Sequence, residues 1–345
     1  MYNKLFILGN GFDLCHGLPT MYYDEGLRES NDCKLSPYLD FANFLEEKYT
    51  EVYENFYLFA CDENDSFLEM WRCFEEKLSN VNDKKIVKHL VVEDSELDGD
   101  DENDEISNHL GSIEARISAL KQNVDDSFTH LMANALCDWI LSLDYNDVNK
   151  KTVRRFSHQL NHADCISFNY SHTLEEFYDD NHLKILHIHG LAEPYDAEKG
   201  TDLIFGHGDD EQSEESIEDG SLELMREIVA QNVLDEANVD LKKILRKNVE
   251  ECLSSLTLFM PNVVNYNKVY VIGHSFGNVD MPYFERIAHR LKKNAKIIVS
   301  YYGKHGLASI REKARQVFDG FDVVFGDILI DDKNDKRSFW NLYLE

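Results

Sequence analysis

The feature that most constrains the fold is a short apolar strand that ends abruptly in a glycine pair. Lys4 to Leu8 are strand formers, Gly9-Asn10-Gly11 follows at once, and we expect a helix to begin near Asp13. Glycine lets a backbone approach an anion closely, and the N–H groups at a helix start point at that anion. The segment therefore has the pattern of a phosphate-binding turn. Because Leu14 stands where the fingerprint G-x-G-x-x-G has its third glycine, a plain strand-to-helix turn is an equal alternative.

Six further apolar runs alternate with helical stretches in the second half of the chain. We predict strands over residues 164–168, 183–188, 202–205, 268–272, 296–301 and 322–325. Continuous apolar strands that alternate with helices are typical of a parallel sheet covered on both faces. The pattern therefore predicts an α/β fold with a parallel sheet and helices on both sides.

The segment between the first strand and this α/β stretch has a different character. Residues 31–150 carry apolar side chains mainly at helical spacing, and residues 93–105 are almost all acidic. We therefore predict one α/β domain built from residues 1–30 and 151–345, interrupted by a helical insertion that contains an acidic loop. A chain of 345 residues is long enough for that organisation.

The formal net charge of −30 argues against two classes of partner. Nucleic-acid binding needs a basic surface that displaces counterions, and an anionic membrane would repel this chain. No apolar run reaches the roughly 20 residues of a membrane span, and the opening core strand leaves no room for a signal peptide. The seven cysteines form no C-x-x-C pair, so we expect no metal site and reduced thiols in the cytoplasm.

Small or polar residues follow four of the predicted strands. They are Gly9-Asn10-Gly11, Asn169-Tyr170, His189-Gly190 and Gly273-His274-Ser275. Ligands of open parallel sheets bind outside the carboxyl ends of the strands. The sequence therefore predicts that these four turns meet around one ligand.

Each of these polar residues also has a purely structural interpretation. Asn169 could cap the helix that follows it, and His189 could be a hydrogen-bonded core histidine. His207 lies between two glycines and could be only a turn residue. Ser275 could be an N-cap, and Asp280 is expected to cap the next helix.

The turn after residue 272 also matches the nucleophile elbow of serine hydrolases. Gly273-His-Ser-Phe-Gly277 fits G-x-S-x-G and follows a predicted strand. A triad would need an acid and a histidine further along the chain, and His305 with Asp280 is the conceivable pair. Nucleophilic catalysis by Ser275 is therefore an alternative function.

Five segments together closely resemble the AbiH family of bacterial phage abortive-infection proteins. They are the segments 7–20, 167–175, 187–190, 204–208 and 272–280. The same order of motifs is similar to a sirtuin-like NAD-binding domain. That likeness implies a sirtuin-like Rossmann sheet for the α/β part of the chain.

The resemblance also implies which residues meet NAD. Asn169 would lie beside the nicotinamide ribose and His189 would be the base near it, so both would be catalytic. The residues that the resemblance implies for cofactor binding are Gly9, Asn10, Gly11, Phe12, Asp13, Thr20, His207, Gly273, Ser275 and Asp280.

Departures from sirtuin deacylases argue against protein deacylation. Their zinc-binding cysteines are missing after His189, and Phe168 and Ser171 replace the Gln and Asp that flank their catalytic Asn. The resemblance then implies a cytoplasmic antiviral effector that hydrolyses NAD to nicotinamide and ADP-ribose without a metal. A non-catalytic NAD or nucleotide sensor is the alternative. The implied partners are NAD, a phage or host trigger protein and, as an open alternative, a second copy of the chain.

Overall fold

A parallel six-stranded sheet forms the centre of the first of two compact units. The first unit comprises Met1–Phe44, Leu136–Ile204 and Asn248–Glu345, and the second comprises Leu45–Ala135 and Phe205–Lys247. The computed structural model describes residues 4–22, 40–60, 71, 74–80, 131–146, 148–196, 200–208, 246–303, 307–332 and 335–344. The acidic run 93–105 lies outside the described residues. The domain boundaries that the sequence suggested stay a prediction.

The sheet has the strand order β3-β2-β1-β4-β5-β6. Its strands are β1 (Lys4–Leu8), β2 (Asp164–Ser167), β3 (Lys184–His187), β4 (Lys268–Ile272), β5 (Lys296–Tyr301) and β6 (Asp322–Asp327). All neighbouring strands pair in parallel, so their carboxyl ends lie at one edge. The central strand β1 pairs with β2 on one side and with β4 on the other, and the direction of strand order reverses there.

Helices follow most strands, as an α/β fold requires. In the described part of the chain the helices are α1 (Asn10–His16), α2 (Phe41–Lys48), α3 (Thr50–Ala60), α4 (Phe74–Lys77), α5 (Met132–Leu141), α6 (Lys150–Leu160), α7 (Thr173–Tyr178), α8 (Val249–Phe259), α9 (Met281–Arg290), α10 (Leu307–Val317) and α11 (Phe339–Leu344). None of these helices is both long enough and apolar enough to cross a bilayer.

Both faces of the sheet are buried against helices. Leu5 and Ile7 of β1 belong to a core cluster that also contains buried residues of α8, α9 and α10. Phe6 and Leu8 point to the other face, where buried residues of α1, α6, α7 and α11 pack on them. Successive side chains of a strand alternate between faces, so β1 is apolar at each position from Leu5 to Leu8 because it is buried on both sides. The predicted α/β class with helices on both faces is confirmed.

Two local expectations were wrong. Helix α1 begins at Asn10 rather than near Asp13, because the backbone enters the helix directly from Gly9. Residues 202–205 form no strand. They are attached by isolated bonds instead, with Ile204 N–H donating to the His189 carbonyl (2.9 Å) and Tyr170 O–H donating to the Ile204 carbonyl (3.2 Å).

The second unit contains an aromatic cluster of its own. Trp71 stacks on Phe74 with ring centroids 5.3 Å apart, and Phe56 lies 5.0 Å from the Trp71 ring. Lys247 is buried in this unit and its ammonium pairs with Glu75 at 3.0 Å. The predicted helical character of this region is present in α3 and α4.

Candidate functional site

The turns after β1 and β4 are in direct backbone contact at the reversal of strand order. Gly9 N–H donates to the Ile272 carbonyl (3.0 Å), and Gly11 N–H donates to the Gly273 carbonyl (2.8 Å). A Cβ on Gly273 would lie 2.3 Å from the Gly11 carbonyl carbon, and Gly273 has a φ of +65°. Only glycine tolerates both the left-handed backbone and this approach. The glycines that the sequence singled out therefore join two strand ends to each other.

This junction occupies two of the amides that the phosphate prediction used. The N–H groups of Gly9 and Gly11 already donate to the Ile272 and Gly273 carbonyls. The contact of these glycines with NAD phosphates stays a prediction, and these two N–H groups do not support it. Asn10 and Thr20 close the same turn reciprocally. Asn10 Nδ2 donates to the Thr20 carbonyl (2.7 Å), and Thr20 Oγ1 donates to Asn10 Oδ1 (2.5 Å).

Asn169 lies at the end of β2, directly beside the glycine turn. Its side chain is 7% exposed, and Nδ2 donates to the Gly9 carbonyl at 3.1 Å. The expectation that it caps the following helix was wrong, because α7 begins after His172 without a side-chain cap. The amide instead links the β2 end to the β1 end.

Asp13 of α1 sits in a buried cage of neutral donors. The side chain is 1% exposed, and its two oxygens accept from Ser171 Oγ (2.6 Å) and Thr173 Oγ1 (2.7 Å). Burial raises the pKa of Asp13 to about 6, although the hydrogen bonds from Ser171, Thr173 and Asn169 counteract this shift. Because both oxygens accept from the protein, Asp13 holds the segment after β2 against α1.

His189 follows β3 and is enclosed by aromatic rings. Its side chain is 3% exposed, and its ring centroid lies 5.3 Å from Phe168, 6.1 Å from Tyr170 and 5.5 Å from Tyr283. Its Nε2 faces Asp280 Oδ1 at 3.7 Å. An imidazole in low-dielectric surroundings next to a carboxylate is an arrangement that suits acid–base chemistry.

Asp280 faces two histidines. Its other oxygen, Oδ2, lies 3.4 Å from His274 Nε2. The expectation that Asp280 caps α9 through its side chain was wrong, since that helix start has no side-chain capping bond. The carboxylate is instead directed between His189 and His274. Among the described residues, no group of three or more His, Cys, Asp or Glu side chains has the arrangement of a metal site.

The segment that follows β4 brings Asp280 to His189 across the ends of β1 and β2. In the sheet β3 and β4 are separated by β2 and β1, a distance of about 14 Å at normal strand spacing. The turn crosses that distance in steps. Gly273 touches Gly11 after β1, and the His274 ring lies 4.5 Å from the Phe168 ring after β2. Asp280 then reaches His189 after β3.

Sequence reasoning assigned no role to His274. Its Nδ1 accepts from the Phe276 N–H at 2.9 Å, so the proton of the neutral ring is on Nε2, the atom that faces Asp280. The signal was available in the chain, because His274 follows the glycine that ends β4 in a turn already singled out. His274 matters because it faces Asp280. The sequence had predicted Asp280 to be a helix cap, so this pair was not expected.

Ser275 and Phe12 differ strongly in their surroundings. Ser275 is exposed, and the left-handed residues of its turn are Gly273, with a φ of +65°, and Phe276, with a φ of +57°. A nucleophile elbow places its serine at the strained residue of the turn between strand and helix, which here is not Ser275. His305, the histidine of the conceivable triad, lies outside the described residues, so the hydrolase role of Ser275 stays a prediction. Phe12 is buried in the core, with ring centroids 4.5 Å from His16 and 5.1 Å from Phe156.

His207 belongs to the second unit, whereas the other predicted site residues belong to the first. It is buried, its Nδ1 lies 2.6 Å from the Gly208 carbonyl, and its own carbonyl accepts from Lys247 N–H at 2.8 Å. These contacts fit the interpretation of His207 as a turn residue. Its predicted contact with NAD stays a prediction.

Comparison with known proteins gave one family. The model of the family described as "Bacteriophage abortive infection AbiH" matches residues 5–301, which is well over half of the chain. The match extends from Leu5 in β1 to the end of β5 and includes His189, His274 and Asp280. No curated protein matches the chain.

Proposed function

The chain belongs to the bacteriophage abortive infection AbiH family, and we propose that it acts in this defence by hydrolysing NAD at the carboxyl edge of its sheet. Membership of the family implies the role in abortive infection. The chemistry is our proposal. The observation that supports it most is the cluster of His189, Asp280 and His274 beside the reversal of strand order.

The position of the cluster favours a dinucleotide over other ligands. A sheet with the order 3-2-1-4-5-6 binds dinucleotides across the carboxyl ends of its strands where the order reverses. Here the reversal lies between β1 and β4, and Asn169 stands next to it. One extended ligand at this edge would meet the amide of Asn169 and the imidazole of His189.

The proposed reaction breaks the bond between C1′ of the ribose and the pyridinium nitrogen of nicotinamide. The electron pair of that bond goes to the nitrogen, so nicotinamide leaves neutral, and the ribose carries positive charge in the transition state. A water oxygen then bonds to C1′ and its proton goes to a base. The products are nicotinamide, ADP-ribose and one proton.

The residues of this chain would divide the work between base and positioning. His189 would take the proton of the attacking water, because the ordinary pKa of an imidazole lies close to neutral pH. Asp280 would stabilise the imidazolium that results, because opposite charges at 3.7 Å attract strongly in a buried site. With Nδ2 of Asn169 donated to Gly9, its amide oxygen would orient water or the carboxamide of nicotinamide.

The test is nicotinamide release by the full chain. In cells that express the protein and are infected with phage, we expect NAD to fall and ADP-ribose to rise. The variant His189→Ala should lower the rate at least 100-fold, since a general base contributes about 10² to 10⁴ in rate. The control is His289→Ala, because His289 is an exposed histidine on α9. Unchanged turnover in His189→Ala would contradict the proposal.

A non-catalytic NAD sensor is the second candidate, and the burial of His189 favours it. A side chain only 3% exposed among three aromatic rings is less accessible to water than a typical base. The sensor predicts NAD binding by calorimetry without nicotinamide release. It also predicts that infected cells stop growing while their NAD level stays constant.

A further inference from the structure

We propose that His274 is a positioning residue that acts on His189 through Asp280. The three groups form a line across the sheet edge, from His274 Nε2 to Asp280 Oδ2 (3.4 Å) and from Asp280 Oδ1 to His189 Nε2 (3.7 Å). The catalytic meaning of this line rests on the proposed function. The line itself is a property of the folded chain and is testable without substrate.

The tautomer of His274 is fixed by the backbone next to it. Phe276 has a left-handed backbone, with a φ of +57°, and this turn directs its N–H at His274 Nδ1 (2.9 Å). Because Nδ1 accepts a hydrogen bond, the neutral ring carries its proton on Nε2. The N–H on Nε2 then faces Asp280, where it favours the ionised carboxylate.

The loop that carries Asp280 is held by its own backbone and by a lysine. Asp280 N–H donates to the Gly277 carbonyl (3.0 Å). Lys313 of α10 donates to the Phe276 carbonyl and to Asn278 Oδ1, both at 3.0 Å. Lys313 therefore ties α10 to the loop that carries Asp280. Lys313 holds the loop, and His274 faces Asp280 Oδ2, so Oδ1 is left on the side of His189.

Aromatic rings lie around His189 beside the carboxylate of Asp280. In the described part of the chain the rings that surround it are those of Phe168 after β2, Tyr170 after β2 and Tyr283 of α9. The Tyr170 hydroxyl donates to the Ile204 carbonyl at 3.2 Å. Among these described neighbours, Asp280 supplies the carboxylate that faces the imidazole, whereas the two tyrosines are neutral near neutral pH.

The experiment is an NMR titration of His189 in the full chain, labelled at histidine. Asp280→Asn should lower the titration midpoint of His189 by about one pH unit, because an opposite charge at this distance favours the imidazolium. His274→Asn keeps an acceptor for Phe276 N–H but removes the imidazole Nε2 that faces Asp280, and should lower the midpoint by about half as much. His274→Gln places an amide N–H near the position of Nε2 and should restore the wild-type midpoint.

Several outcomes would overturn the proposal. They are a midpoint that His274→Asn leaves unchanged, a midpoint that Asp280→Asn leaves unchanged, and a His189 that does not titrate between pH 5 and 9. His289→Asn and His289→Gln on the exposed face of α9 are the matched controls and should leave the midpoint of His189 unchanged.

Two further measurements keep the test decisive. If a variant does not fold, the ¹⁵N shifts of wild-type His274 decide instead, since a proton on Nδ1 would contradict the proposed line. If the NMR result holds while nicotinamide release is absent, the line between the histidines stands and NAD hydrolysis is wrong. If nicotinamide is released while the midpoint is unaffected in both variants, the reverse is true.

Discussion

Two carboxylates at the same edge of the sheet are held in opposite ways. Asp13 joins the ends of neighbouring strands, β1 and β2, and its oxygens accept from the hydroxyl groups of Ser171 and Thr173. Asp280 joins the ends of β3 and β4, which two strands separate, and its oxygens face His189 and His274.

The difference separates a structural contact from a chemical one. Hydroxyl and amide donors do not titrate near neutral pH, so Asp13 has no neighbour in its cage that could take up or hand on its proton. Imidazoles exchange protons in the physiological range, so the surroundings of Asp280 can store and move a proton. Predicting both residues as ligands of NAD from one motif set did not distinguish these two roles.

The largest expected effect comes from breaking the backbone contact on which both sites depend. Gly273→Ala would place a Cβ 2.3 Å from Gly11 at a φ of +65°. We expect a loss of about 4 kcal/mol in the free energy of unfolding, because left-handed strain and overpacking add. Urea unfolding measures it. Gly277→Ala is the control, since its Cβ would meet only Asp280 Oδ2 at 3.9 Å, and it should cost under about 1 kcal/mol. Equal losses in the two variants would show that the contact between Gly273 and Gly11 has room for a Cβ.

A smaller effect is expected from the titration of Asp13. Burial raises the pKa of this carboxyl from 3.8 to about 6, so the folded state binds a proton that the unfolded state has already released. The stability that protonated Asp13 contributes is present below pH 4 and is lost as the pH rises through about 6. Relative to Asp13→Asn, the wild type should lose up to about 3 kcal/mol over that window. Unfolding at pH 4 and pH 7.5 measures the difference, and a constant difference would contradict the raised pKa.

The smallest effect is expected at a third carboxylate, which one imidazole faces. Glu175 Oε1 lies 2.9 Å from His187 Nε2, and its side chain is 34% exposed. Burial alone would raise the pKa of Glu175, but the bond and charge of His187 outweigh it and lower the pKa. The contribution is therefore present above the ordinary pKa of a glutamate and is lost as the pH falls below it. Glu175→Gln should cost about 0.5 kcal/mol at pH 6, where solvent screens the pair, and nothing at pH 3. A loss above about 2 kcal/mol would show instead that the pair behaves as a buried ion pair and not as a solvent-screened one.

The strand ends were predictable because their signal is local. An apolar run such as Lys268–Ile272 is long enough to identify a buried strand, and a polar or small residue after it marks the carboxyl end. The edge of the sheet was therefore expected to collect Asn169 and His189, and the structure brings both to it.

The side-chain partners were not predictable because they depend on strand order. Asp280 precedes a helix and has the local pattern of a cap, yet its partner His189 is distant in the chain and lies three strands away. The apolar run 202–205 has strand propensity but finds isolated bonds to His189 and Tyr170 instead of a neighbouring strand. Tertiary context decides both cases.

The contact between β1 and β4 also sets when the site can exist during translation. Lys4–Leu8 precedes Lys268–Ile272, His274 and Asp280 in the chain, so the ribosome makes the glycine turn after β1 well before the turn after β4. A partly synthesised polypeptide therefore holds Asn169 and His189 without the turn that connects them. Under the proposed function, a polypeptide synthesised only as far as β3 would lack both Asp280 and His274.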